Sequence, residues 1–456
     1  MAWWARGAIQ AKVAGWATSW GHCRQAKVQD RPDPASLSSP AVTSVGVVGG
    51  GQLALMLAQE APGLGLQLHL QAASASDPAV PLASSAILAD LDDVTATAAL
   101  ARRCQVITFE NEWVPLDALQ ELRQAGVRFL PDLDALASLM CKRAQRDLLQ
   151  KLALPIPRWC PLEQVLQLSP EGLASPQAPV FPPRGAGGAA SQRRPELPQG
   201  FQFPLMAKSS RGGYDGKGTV PIPDQQALEA LLAAVDPAGW LLEAMVAFDM
   251  ELALVAARDQ RGNVVCYPLV QTQQQQQVCD WVLFPAPVSH AVEAFARNIA
   301  ASLLTALDYV GLLAIEFFYG PAGLQINELA PRTHNSGHYT IEACACSQFG
   351  QQLRLAALLP MGSPEPLVPG ALMVNLLGRE GSAGRDEADG QALAALPGAH
   401  LHWYGKSQSS PGRKLGHLTL LLQSSGTEAL RREALEKLQQ VRAIWPLPQG
   451  GKLPLQ

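Results

Sequence analysis

Short apolar runs bounded by turn residues mark the informative stretches of the chain. Val45-Gly-Val-Val48 has the unbroken apolar character of a buried strand, Gly49-Gly-Gly51 reads as a turn, and Gln52 to Glu60 as a helix. The N-terminus of that helix is positioned to face an anion, and the order strand, glycine turn, helix opens a Rossmann-like unit. Farther on, Phe203-Pro-Leu-Met-Ala207 leads into Lys208, predicting a strand that ends on a cation. Leu312-Leu-Ala-Ile-Glu-Phe-Phe318 and Leu324-Gln-Ile-Asn-Glu-Leu329 predict two strands joined through Gly320-Pro-Ala-Gly323 as a hairpin.

Folding that hairpin about Pro321 or Ala322 sets Glu316 opposite Asn327 or Glu328. The two carboxylates then lie within one residue of direct register, with Cβ atoms roughly 4.5–8 Å apart. Like charges that close are unfavourable without a cation between them, and oxygen ligands completed by water and phosphate suit magnesium, with manganese as an alternative. Two solvated glutamates on a sheet edge are the competing reading. The apolar neighbours Ile315, Phe317, Ile326 and Leu329 weigh against it.

The run Arg211-Gly-Gly-Tyr-Asp-Gly-Lys-Gly218 adds a second chemistry. Gly212, Gly213, Gly216 and Gly218 permit positive φ, so successive N–H groups can converge on an anion while Lys217 adds charge. It is no Walker loop, because Arg211 and Gly218 stand where that motif needs a glycine and a hydroxyl. Lys208 would reach the same phosphates as a compact point charge. A mobile surface loop is the alternative.

Composition narrows the class. At 456 residues, 48% hydrophobic and 16% charged, the chain has the make-up of a multidomain globular protein, and a net charge of −4 argues against general nucleic-acid binding. No apolar run reaches the roughly 18 residues of a membrane span. The eight cysteines show no Cys-x-x-Cys, and Cys344-x-Cys346 reads as part of a helix without paired histidines, which fits a reducing cytosol and no zinc site. Residues 1–43 read as a disordered extension or a start assigned too far upstream. Residues from about 169 to 200, rich in Pro, Gly and Ala, read as a surface insertion, and Gln273 to Gln277 as a polar loop.

Gly49, Gly51 and Ala54 also fit the dinucleotide fingerprint, yet Gln71 and Ala72 stand where its acid is expected. The turn therefore reads as a phosphate or substrate site rather than a nicotinamide site.

In this order the pieces resemble the ATP-grasp superfamily, and within it the 5-(carboxyamino)imidazole ribonucleotide synthases of purine biosynthesis. The resemblance spans residues 44 to about 421. It rests on Gly49-Gly-Gly-Gln-Leu53, Ile107-Thr-Phe-Glu-Asn-Glu-Trp-Val-Pro115, the loop 211–218, Ile326-Asn-Glu-Leu-Ala-Pro-Arg332, His334-Asn-Ser-Gly-His-Tyr339, His400-Leu-His-Trp-Tyr404 and Pro411-Gly-Arg-Lys414. It implies a mixed α/β and α+β chain: a Rossmann-like pre-ATP-grasp domain over 44–138, an ATP-grasp domain over 139–367, and a small C-terminal domain over 368–445.

The reaction implied joins ATP, bicarbonate and 5-aminoimidazole ribonucleotide through carboxyphosphate, in a cytoplasmic homodimer that binds neither nucleic acid nor membrane. By the same resemblance, magnesium rests on Glu316 and Glu328. ATP is held by Lys142, Lys208, the loop residues Gly213, Tyr214, Asp215, Gly216, Lys217, Gly218 and Thr219, and Asn327 with Glu328. Glu243, Ala244, Met245 and Val246 would read the adenine edge, Glu251 the ribose, and Gln274 takes the place of a nucleotide-contacting histidine. Tyr214, Asp215, Lys217, Arg332, His334 and Asn335 form the carboxylation end, with Arg332 offering a planar fork to bicarbonate and His334 as candidate proton acceptor. Gln52 and Leu53, as backbone donors, with Glu112, Lys406, Arg413 and Lys414 would hold the ribonucleotide.

The chain departs from the family pattern at Ala54, Leu55, Ala72, Lys142 and Gln274. Lys142 replaces an arginine, keeping charge and losing bidentate geometry. Three rivals follow: another ATP-grasp ligase such as a formate-dependent ribonucleotide transformylase, a nicotinamide dehydrogenase resting on the glycine turn, and a non-catalytic nucleotide-binding paralogue.

Overall fold

The computed structural model describes residues 42–166, 195–212, 218–275, 277–379, 385–406 and 410–448. The expected extension before residue 42, most of the low-complexity insertion and the loop residues Gly213, Tyr214, Asp215, Gly216 and Lys217 lie outside the described residues.

Ser44–Val48 (β1), Gln67–Ala72 (β2), Ser85–Leu88 (β3), Val106–Phe109 (β4) and Phe129–Leu130 (β5) form a parallel sheet in the order β3-β2-β1-β4-β5. β1 and β4 are covered on both faces, which is why they read as continuous apolar runs. Strand order reverses at β1, so a crevice opens beyond the C-terminal ends of β1 and β4. The glycine turn and the Glu110–Glu112 segment both emerge into it. Gln52–Glu60 (α1) follows the turn as expected and buries Leu53 through Ala58 without a break. Gln71, in the place of the dinucleotide acid, is fully buried: its Nε2 donates to the Asp90 and Asp93 carbonyls and its Oε1 accepts from Thr97. It braces the sheet and cannot read a ribose.

Trp159–Pro161 (β6), Leu205–Ser209 (β7), Thr219–Ile222 (β8) and Trp240–Ala244 (β9) make an antiparallel sheet in the order β6-β9-β7-β8. Lys208 ends the apolar part of β7 and pairs with Thr219 across the base of the glycine-rich loop. Lys142–Lys151 (α2) precedes this sheet.

A nine-stranded sheet carries the rest. Met250–Arg258 (β10), Val264–Cys266 (β11), Val270–Gln275 (β12), Val278–Phe284 (β13), Gly311–Gly320 (β14), Gly323–Ala330 (β15), Gly370–Leu377 (β16), Ala399–Trp403 (β17) and Lys414–Leu422 (β18) run β15-β14-β10-β12-β13-β16-β18-β17, with β11 added on β10. The C-terminal strands β16, β17 and β18 thus join this sheet through the β13–β16 pairing. The helix Thr427–Ile444 covers them with Leu430, Ala434, Leu438 and Val441, spaced to fall on one face.

The expected hairpin is present. Glu316 lies directly opposite Glu328, Gly320 opposite Gly323, and a bulge after Glu316 absorbs the one-residue uncertainty in register. Ile315, Phe317, Ile326 and Leu329 are buried against Leu252 and Leu254 and against Ile299 and Leu303 of the helix His290–Ala306. With side chains alternating across the sheet, the glutamates are left on the opposite, cleft-facing side.

Two expectations need correction. Gln273, Gln274 and Gln275 are strand, not loop: they pair with Trp281, Cys279 and Val278 of β13, and this ladder overrides a composition that reads as polar coil. Cys344-x-Cys346 is not helical, since the short helix Thr340–Ala343 stops before it and Cys344 makes an isolated bridge to Pro366. Among the described residues, no helix is long and apolar enough to cross a membrane.

Candidate active site

One ion network lies between the four-stranded and nine-stranded sheets. Lys208 Nζ reaches Glu243 Oε2 at 2.6 Å and Asn327 Oδ1 at 2.9 Å, tying β7 to β9 and to β15. The second oxygen of Glu243 accepts from Arg146 Nε at 2.6 Å, and Arg146 Nη2 donates to the Asn327 carbonyl. Burial alone would raise the Glu243 carboxyl, yet Arg146 and Lys208 hold it well below the usual carboxylate range. Burial pushes the Lys208 ammonium down, with Arg146 and Lys142 adding to that and Glu243 opposing it. Arg146 went unnoticed in the sequence. The available signal was its i,i+4 spacing from Lys142 on α2, which puts both cations on one helix face.

The carboxylate pair forms the next layer. Lys142 Nζ sits 2.6 Å from Glu328 Oε1, His334 Nε2 is 3.3 Å from Glu316 Oε1, and Asn327 Nδ2 lies 3.4 Å from Glu316 Oε2. Desolvation, then the Glu328 charge, drives the Glu316 carboxyl up. Burial would do the same to Glu328, but Lys142 and Lys208 hold it down. The glutamate side chains remain 25% and 36% exposed, respectively, on the floor of the cleft. No three His, Cys, Asp or Glu side chains among the described residues form a self-contained metal cage. Two opposed carboxylates with an unbalanced charge fit a magnesium ion that takes its remaining ligands from phosphate and water.

Glu251, at the start of β10, faces the same cleft. Burial and then the Glu316 charge raise its carboxyl to about 7, while the Gln274 backbone N–H stabilises the ionised form. Met245 and Val246 lie in the crossing from β9 to β10 beside a cleft of about 220 Å³, which Arg158, Pro321 and Gln325 also line.

At the end of β15, Arg332 Nε donates to Glu112 Oε2 at 2.6 Å and Nη1 to the Thr333 carbonyl at 3.2 Å. His334 caps the turn 335–337: its Nδ1 accepts from the Ser336 N–H and bonds the Ser336 hydroxyl at 2.8 Å. With Nδ1 engaged there and Nε2 3.3 Å from Glu316, the ring is held between the turn and the carboxylate pair. Asn335 opens that turn. It is buried, and its amide is spent on a reciprocal pair with Asn375, Nδ2 to Oδ1 at 3.0 and 2.7 Å.

The basic strand approaches the Rossmann-like unit. Lys406 Nζ donates to Gln52 Oε1 and to the Lys414 carbonyl, each at 2.8 Å, and lies 5.4 Å from the Tyr404 ring centroid. The Tyr404 hydroxyl bonds His417 Nδ1 at 2.8 Å, and His417 stacks on His402 at 4.4 Å. Arg413 is exposed in the turn just before β18.

Three N–H groups at the glycine turn are taken by a protein carboxylate. Glu110 Oε2 accepts from Gly51 N–H at 2.7 Å, and Oε1 from Leu53 N–H at 3.0 Å and Ala54 N–H at 3.5 Å. Gly49 takes φ +133°, and a Cβ there would fall 2.3 Å from Glu110 Cβ. The glycines thus admit a protein carboxylate where a dinucleotide protein takes phosphate. Leu53 N–H, expected with Gln52 as a backbone donor to substrate, is bonded to Glu110, and the Gln52 side chain accepts from Lys406. Glu110→Ala is expected to cost about 1–3 kcal/mol, since three helix N-terminal donors lose their acceptor; thermal unfolding against wild type checks it.

Three family models match the chain in sequence order: a ribonucleotide synthetase preATP-grasp domain over residues 42–139, an ATP-grasp domain over 189–349, and a phosphoribosylaminoimidazole carboxylase C-terminal domain over 371–432. The chain is 46% identical over 413 residues to the N5-carboxyaminoimidazole ribonucleotide synthase of Synechococcus elongatus, covering 91% of this chain and 98% of that protein. The crystal structure of N5-carboxyaminoimidazole ribonucleotide synthetase from Thermus thermophilus superposes with a TM-score of 0.72 at 31% identity, covering 90% and 100% of the two chains. The Aspergillus clavatus enzyme in complex with ADP and 5-aminoimidazole ribonucleotide superposes at 0.73 with 27% identity, covering 88% and 98%.

Proposed function

The chain belongs to the N5-carboxyaminoimidazole ribonucleotide synthase family, and we propose the following division of labour among its residues. The activity is ATP-dependent carboxylation of 5-aminoimidazole ribonucleotide with bicarbonate in purine biosynthesis. The observation that carries the residue assignment is the direct register of Glu316 and Glu328 beneath Lys208 and the base of the glycine-rich loop.

A bicarbonate oxygen attacks the γ-phosphorus, the bond to the bridging oxygen of ADP breaks, and ADP leaves with the electron pair. The carboxyphosphate so formed gives its carbon to the exocyclic amine nitrogen; a C–N bond forms as the C–O bond to phosphate breaks, and the amine proton passes to the departing phosphate or solvent. Little of this needs covalent help from the protein, so its work is positioning and charge stabilisation.

Lys208, Lys142 and the loop 213–219 hold the ATP phosphates. Glu243 to Val246 receive adenine, Glu251 with Gln274 behind it the ribose. Glu316 and Glu328 would hold magnesium, which when bound would neutralise charge on the terminal phosphates; His334 orients Glu316 and Asn327 spans the space to Lys208. Arg332 receives bicarbonate. Tyr214, Asp215 and Lys217 are assigned to the carboxylation end by family likeness. Lys406, Arg413 and Lys414 take the ribonucleotide phosphate, while Gln52 and Glu112 contact other parts of the ribonucleotide. Asn335 acts at one remove, fixing the backbone that carries Arg332 and His334. Family likeness further supports a homodimer working in the cytoplasm.

Phosphate release from Mg-ATP, measured with and without bicarbonate and 5-aminoimidazole ribonucleotide, tests this reading. Stimulation that needs both is expected; stimulation by formate in place of bicarbonate would overturn it. Lys406→Ala is expected to raise the KM for the ribonucleotide by about tenfold or more with little change in the KM for ATP. A change confined to the ATP constant would move the phosphate site elsewhere.

A further inference from the structure

The ion pair between Glu112 and Arg332 joins the two places where different substrates are expected. Glu112 follows β4 in the Rossmann-like unit, and Arg332 follows β15 in the ATP-grasp unit, 220 residues away. Their side chains are 10% and 20% exposed, and their contact is 2.6 Å. The Glu112 segment has little freedom to drift, because Glu110 two residues earlier is bonded into the start of α1.

A guanidinium grips a planar oxyanion best along an edge, with two parallel N–H donors. The Nε–Nη2 edge of Arg332 is occupied at Nε by Glu112, and Nη1 is drawn to the Thr333 carbonyl. Bicarbonate or carboxyphosphate must therefore displace a carboxylate of like sign to be gripped bidentately along the Nε–Nη2 edge. The carboxylate for its part accepts hydrogen bonds only, so the group suited to draw it away is a donor, such as the exocyclic amine of the ribonucleotide.

Resting on the function proposed above, we infer that Glu112 couples the two half-reactions. It holds Arg332 until the substrate amine engages it, and only then releases the guanidinium to bicarbonate. Carboxyphosphate then forms where its acceptor is already bound, and ATP is spared from idle hydrolysis.

The test compares wild type and Glu112→Gln for phosphate release from Mg-ATP and bicarbonate without ribonucleotide. An amide cannot hold the guanidinium as a carboxylate does, so the ribonucleotide-free, bicarbonate-dependent rate is expected to rise at least about tenfold over wild type. With ribonucleotide present, more than one phosphate is expected per carboxylated product. A ribonucleotide-free rate that stays at the wild-type level or falls would overturn the inference and leave Glu112 a brace for Arg332. Thermal stabilisation by Mg-ADP establishes that the variant is folded. Should it not fold, Glu112→Asp carries the same test: the charge remains but is withdrawn by one methylene, and a smaller rise of about threefold is expected, with no rise overturning the inference. If wild type itself showed no stimulation by ribonucleotide with bicarbonate, the proposed function would fail rather than the coupling.

Discussion

Glu328→Gln is expected to lower kcat for bicarbonate-dependent phosphate release by about a thousandfold or more while leaving the melting temperature nearly unchanged. The two halves of this expectation come from the same geometry. Glu316 and Glu328 stand directly opposed on β14 and β15, and their mutual repulsion is part of what drives the Glu316 carboxyl up. Neutralising one of them relieves that repulsion and offsets the loss of the 2.6 Å pair with Lys142. The hydrophobic support of the hairpin, Ile315, Phe317, Ile326 and Leu329, lies on the other face and is untouched. What the substitution removes is charge at the point where terminal phosphates would be neutralised, in a cleft where each charge counts for more than it does in water. Steady-state turnover, a melting curve, and binding of Mn-ADP by the folded variant measure the three quantities separately. Wild-type turnover, or a collapse of the melting temperature with metal-nucleotide affinity retained, would remove Glu328 from the metal site.

How much of this site was legible in the sequence follows from the sequence separation of its contacts. The strand at Val45–Val48, its turn and α1 are consecutive, and their signals are local. The β14–β15 hairpin was legible to within one residue because a two-residue turn fixes register; the bulge after Glu316 has no composition signal of its own. The strand at Gln273–Gln275 was misread because its polar side chains carry no strand pattern, and its pairing with Val278–Trp281 of β13 decides its conformation. Glu110 lies 59 residues from the N–H of Gly51 that it accepts, and Arg146 lies 97 from Glu243. Neither pairing has a periodicity that could expose it. The glycine turn was read as a phosphate or substrate site, and in the fold the Glu110 carboxyl accepts from its Gly51, Leu53 and Ala54 N–H groups. His334 was likewise read by its chemistry, while its engagement by Ser336 and Glu316 depends on a turn that only the folded chain forms.

Arg146→Met should destabilise the ATP-grasp unit by about 3–5 kcal/mol, the range expected when one partner of a buried charge network is removed. Arg146 and Glu243 are each almost wholly buried, with side chains 1% and 3% exposed, and a single carboxylate is shared between Arg146 and Lys208 at 2.6 Å on either side. Methionine fills much of the volume, so the loss is chiefly electrostatic, together with the Asn327 carbonyl left without its donor. That distinction can be measured. In wild type the Glu243 carboxyl is held at about 2, below its unfolded value of about 4.3. The stability this contributes is fully present above the unfolded value and is lost as pH falls through the folded one. Without Arg146 the folded value rises toward the unfolded one, and that contribution largely disappears. The gap in melting temperature between wild type and Arg146→Met should therefore be widest above about pH 5 and narrow steadily as the solution is acidified toward pH 3. A gap that does not change with pH would mean that Arg146 acts by packing alone. A wild-type melting temperature in the variant would mean that Lys208 suffices to balance Glu243, and the network would then owe its place in the cleft to positioning Lys208 rather than to holding the sheets together.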